Sequence, residues 1–134
     1  MGRLPGLPQP HPGRLAAAWV RNPLVLTGDV HRSWANDLKA DYANPASATI
    51  GTELVCTSIS STGNGSGSTT VPNAAANPHL KFYSDRRGYV RTTISRSQVR
   101  ADFRAVNTVT EHGAAASTVR SFVILDGQPG LQAG

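Results

Sequence analysis

Apolar residues run without a break over Leu24–Leu26 inside "PLVLT", the pattern of a strand covered on both faces. Further on, Trp34 and Leu38 stand four apart in "SWANDLKADY", which predicts a helix with Ser33 as its cap. "ATIGTELVCTSI" is rich in β-branched residues and predicts a strand bent at Gly51. In the last half the period becomes two. "HLKFYS", "RGYVRTTIS" and "VRADFRAV" read as strands, with "RSQ" as a turn and "TVRSFVILDG" as the final strand. In "VRADFRAV" the pattern puts Val99, Ala101 and Phe103 on one face and Arg100, Asp102 and Arg104 on the other. That half predicts an antiparallel meander with one wet face. Preceded by a helix-flanked strand, it gives a mixed α/β (α+β) sheet rather than a doubly wound one.

Between these elements the chain is polar and loop-forming. Residues 1–13, "MGRLPGLPQPHPG", are rich in Pro and Gly and read as a disordered lead-in, leaving 14–134 as the folded portion. "RLAAAWV", residues 14–20, reads as a short helix end broken by "RNP". Ser60 to Pro78 reads as a long flexible loop. The 134 residues suit one domain, and no run is long and apolar enough for a membrane-spanning helix. No secretory signal pattern is visible. Formal net charge is +5, but the arginines are interleaved with Asp85 and Asp102 along strands. With no basic tail or recognition helix, that spread argues against a nucleic-acid binder. Excess Arg over Lys suits bidentate contacts to carboxylate or phosphate. The lone Cys56 has no partner for a disulfide or zinc site and reads as a small strand residue.

The candidate chemistry lies in "LVLTGDVH". Ligands of open α/β sheets bind at the carboxyl ends of strands, and here Gly28, Asp29 and His31 follow a strand at once. A carboxylate and an imidazole suit a divalent or trivalent cation. The plainer alternative is that Asp29 caps a turn and His31 is an exposed loop residue. His11 and His112 read as solvent-exposed, and His79 as a residue that packs or faces the site. Asn44, Asn64, Asn73 and Asn77 read mostly as turn formers. "SISSTGNGSG" has the glycines of a phosphate cradle without the Lys and spacing of a P-loop.

Four blocks together, "NPLVLTGDVHRSWANDLKAD", "GTELVCTSISSTGNG", "NPHLKFYSDRRGYVRTTIS" and "SFVILDGQPGLQ", resemble in order and spacing the carboxyl-terminal part of PhoD-type alkaline phosphatases. The resemblance runs from about Arg21 to the end. It implies part of a calcineurin-like metallophosphoesterase β-sandwich flanked by helices. The implied activity is hydrolysis of phosphomonoesters and phosphodiesters at alkaline pH with iron and calcium, usually in an exported protein. By the same resemblance Asp29 is a metal ligand, and His31 contacts phosphate, a metal or the leaving-group oxygen. Trp34 is then a structural or pocket-wall residue, and Asn77 and Arg87 are possible substrate contacts. Most of the family's ligands lie upstream of these blocks, and Cys56 is not at its metal-binding cysteine position. The expectation is therefore a phosphatase segment, inactive alone, with an amino-terminal part missing. The competing expectation is a non-catalytic β-rich binding or structural domain derived from that fold.

Overall fold

The computed structural model describes residues 20–134, which contain eight strands and no helix. The lead-in, His11 and all but the last residue of the expected helix end at 14–20 lie outside the described residues. Strands β1 (Leu24–Thr27), β2 (Ser33–Lys39), β3 (Thr49–Val55) and β4 (Leu80–Ser84) form a mixed sheet A in the order β1-β3-β2-β4. β1 runs parallel to β3, while β2 is antiparallel to both β3 and β4. Strands β5 (Gly88–Ile94), β6 (Gln98–Val106), β7 (Ala116–Leu125) and β8 (Gln128–Ala133) form an antiparallel meander, sheet B, in chain order. The expected mixed sheet and carboxyl-terminal meander are both present.

The two sheets pack face to face. Ala35, Leu54 and Phe82 from sheet A meet Ala101, Phe103 and Phe122 from sheet B. Phe103 lies 4.8 Å from Phe82 and 6.2 Å from Phe122 between ring centroids. This is a two-sheet sandwich with an aromatic cluster between the inner faces. Asp37 adds a polar tie between the sheets, its Oδ1 accepting a hydrogen bond from the Leu131 amide at 2.9 Å. The alternation read in β6 holds, since Ala101 and Phe103 are buried in the core and Asp102 bonds to Arg91 and Ser121 on the opposite face.

Three expectations need correction. The segment expected as a helix from Ser33 is the interior strand β2. Trp34, Asn36 and Leu38 share one face and Ser33, Ala35 and Asp37 the other, so pairing on both sides overrides a helix-like spacing. β1 was expected to be buried on both faces, but it is an edge strand with Leu26 62% exposed. The sequence ends in β8 rather than β7. Asp126-Gly127 forms the two-residue turn, and Pro129 is tolerated because β8 lies at the sheet edge. The bend expected at Gly51 is a register slip opposite Leu38/Lys39. A Cβ at Gly51 would lie 2.6 Å from the Pro23 carbonyl oxygen, so glycine lets β1 approach.

Candidate active-site end of sheet A

Strand directions decide which loops meet. β1 and β3 end side by side at Thr27 and Val55, and β2 begins at Ser33 opposite Ser84, where β4 ends. One end of sheet A therefore gathers the loops after β1, β3 and β4. Gly28 to Arg32 make the first of these and are all exposed. Within it Asp29 (φ 73°) and His31 (φ 55°) hold left-handed backbone conformations. Such a conformation costs a non-glycine residue about 1–2 kcal/mol and persists only where surroundings impose it, commonly at functional sites. Gly28 is less special than its place suggests. A Cβ there would make ordinary contact, 3.4 Å from the Cys56 carbonyl oxygen.

Arg87, in the β4–β5 link, is drawn into this end. Its Nη1 donates to the His31 carbonyl at 3.0 Å and to the Asp85 carbonyl at 3.1 Å. Its Nε donates to the Ser61 carbonyl and Nη2 to the Thr62 carbonyl, both at 3.2 Å. One planar fork thus links the loop after β1, the loop after β3 and the β4–β5 link. Two residues earlier, the buried Asp85 carboxylate accepts the Ser66 amide and hydroxyl, each at 2.7 Å, and the Gly67 amide at 3.0 Å. Burial pushes the Asp85 carboxyl pKa up, but bonds from the Ser66 hydroxyl and the Ser66, Gly67 and Ser68 backbone outweigh it, leaving the pKa below its ordinary value. The glycine-rich loop with the look of a phosphate cradle therefore cradles a carboxylate of its own chain. Gly65 (φ 76°) is required there, because a Cβ would fall 2.3 Å from the Asp85 carbonyl oxygen.

Beneath the β1–β2 loop, the outer face of sheet A forms an open depression of about 440 Å³ lined by Thr27, Val30, Trp34, Asn36, Glu53 and others. Trp34 packs edge-on against Tyr83 at 4.7 Å and so helps wall it. Glu53 accepts from Thr27 Oγ1 at 3.2 Å and from Asn36 Nδ2 at 2.9 Å. Cys56 is half-buried, its Sγ 3.3 Å from the Thr57 carbonyl.

Asn77 is not brought to this end. It precedes β4, its side chain donating to the Asn73 carbonyl at 3.2 Å, at the opposite end of sheet A. Asp37, Asp41 and His79 line a cavity of about 160 Å³ at that far end. There Asp41 caps its own turn through the Ala43 amide at 2.9 Å, and His79 packs edge-on with Tyr42 at 4.9 Å. His112 is exposed. Asp29 and His31 offer a metal one hard oxygen and one imidazole nitrogen, a fitting but partial donor set. Among the described residues no three His, Cys, Asp or Glu side chains group to hold a metal. The role of Asp85 was missed in the sequence, although the glycine spacing of "GNGSG" marks a backbone that curls around an anion.

A family profile described as "PhoD-like phosphatase" matches residues 13–103. The chain belongs to the PhoD-like phosphatase family. It is 47% identical over 115 residues to alkaline phosphatase D of Bacillus subtilis (strain 168), a match spanning 84% of this chain and 20% of that protein. A solved structure described as "Structure of PhoD" superimposes with a TM-score of 0.82 at 43% identity, over 91% of this chain and 24% of that one. The chain thus spans about a fifth to a quarter of the length of these PhoD-like relatives. Among its described residues no helix is long and apolar enough to cross a membrane.

Proposed function

We propose that this chain supplies one part of the active site of a metal-dependent phosphoesterase acting on phosphate monoesters and diesters. The observation that carries the reading is the exposed Gly28–Arg32 loop at the carboxyl end of β1, with Asp29 and His31 both held left-handed. Asp29 would give a carboxylate oxygen to a metal, and His31 an imidazole nitrogen to a metal, the phosphoryl group or the leaving-group oxygen. Iron and calcium, the ions the family resemblance implies, would when bound lower the pKa of a water and neutralise phosphoryl charge. The remaining ligands would come from outside the described residues. We therefore expect the 134-residue chain alone to show no turnover with added iron and calcium. The alternative, a non-catalytic domain on the same fold, predicts the same silence, so the decisive experiment uses a chimera. Residues 20–134 replace the matching segment of the Bacillus subtilis alkaline phosphatase D. Phosphate release from a chromogenic monoester should survive the exchange and fall roughly 100-fold or more in Asp29→Ala. His31→Ala should slow turnover while retaining more metal than Asp29→Ala. A chimera as active with Asp29→Ala as without it would refute the assignment.

A further inference from the structure

The loop that carries Asp29 and His31 has little to hold it. Among the described residues, no backbone–backbone hydrogen bond outside the strand ladders involves Gly28 to Arg32. Its two left-handed residues need an outside restraint. That restraint is the Arg87 Nη1 bond to the His31 carbonyl, from a guanidinium that also holds the carbonyls of Ser61, Thr62 and Asp85. Asp85 meanwhile anchors Ser66 and Gly67 of the loop that carries two of those carbonyls. The link between β4 and β5 thereby sets the β1–β2 loop and the glycine-rich loop against each other.

We propose that Arg87 is a positioning residue for the reaction, fixing the backbone that aims Asp29 and His31, rather than a substrate-binding one. The inference rests on the reading of Asp29 and His31 as site residues. Four guanidinium N–H bonds are directed to backbone carbonyls, which leaves little of the fork to meet a phosphate. Lysine offers a single compact ammonium and cannot span the same carbonyls, so preserving charge should not preserve function. Arg86, whose side chain among the described residues reaches only the Val106 carbonyl at 3.3 Å, serves as the neighbouring control.

The test has two limbs. In the 134-residue chain, Arg87→Lys and Arg87→Gln should loosen the backbone of residues 28–32 and 61–62, their amide order parameters falling from about 0.85 to below about 0.6, while β6 and β7 stay rigid. In the chimera with the Bacillus subtilis enzyme, both variants should lower kcat roughly 10–100-fold with KM within about threefold, as expected when reacting groups are misaimed. Arg86→Gln should leave kcat near the parent value. Unchanged order parameters in those loops would overturn the proposal, as would full kcat in Arg87→Gln beside a dead Asp29→Ala. Recovery by Arg87→Lys would also overturn it, since charge alone would then suffice. An active Asp29→Ala would instead remove the underlying site reading, whatever Arg87 does to loop order.

Discussion

Asp102 sits on the face of β6 that alternation assigns to solvent, yet only 4% of it is exposed. Arg91 covers it with an Nη2–Oδ2 contact of 2.7 Å, Arg100 approaches at 3.0 Å, and the Ser121 hydroxyl donates at 2.7 Å. The Arg91 hydrogen bond, then that from Ser121, holds the Asp102 carboxyl at about 2, below its ordinary 3.8. A carboxyl pKa depressed on folding stabilises the fold above the unfolded value, and that stability disappears as pH falls through the folded value. Melting temperature should accordingly drop between about pH 4 and pH 2, and Asp102→Asn should flatten that part of the profile. An identical acid limb in the variant would place the acid sensitivity elsewhere. At this scale the sequence was legible where chemistry is local. "TGDVH" marks Asp29 and His31 at the end of a strand because an apolar run stops there. Arg87 was visible only as a candidate substrate contact, because the carbonyls it binds lie up to 56 residues away in the chain.

Element type was legible where period two was sustained, as in β5, β6 and β7, and failed where spacing was ambiguous. Residues four apart share a face in both a helix and a strand, so Trp34 and Leu38 could not distinguish them. What decides β2 is its place between β3 and β4, a tertiary fact. β8 was missed for a different reason, since Pro129 and Gly130 conceal a short edge strand, although "LDGQ" carries a two-residue hairpin signal. The stretch from Ser60 to Pro78 is a loop as expected, but its "GNGSG" section is pinned to Asp85 rather than free. Gly65→Ala should therefore destabilise the chain by about 1–3 kcal/mol in denaturant unfolding. Gly63→Ala, where an added Cβ meets nothing within 4 Å, relieves no such clash and bears only the left-handed backbone cost. Equal losses in the two variants would show that the Asp85 contact does not matter.

Across the whole molecule, the two sheets give one shared core, but the end that holds the candidate site is open. Leu26, Val30 and Ile59, each more than half exposed, lie on β1 or on loops at that end. The edge strand β1 reads in the sequence as buried, which fits the proposal that this segment works within a longer phosphoesterase whose other parts cover it. Exposed apolar surface of this kind should make the isolated chain prone to association, seen as concentration-dependent scattering. A strictly monomeric chain at high concentration would count against a covered edge. The central claim is that Asp29 is a metal ligand contributed by this segment to a phosphoesterase site. Metal content of the purified chimera, by elemental mass spectrometry with and without Asp29→Ala, tests it most directly. The expected result is loss of bound metal in Asp29→Ala at unchanged folding, with His31→Ala retaining more; equal metal content in the Asp29→Ala and parent chimeras would contradict it.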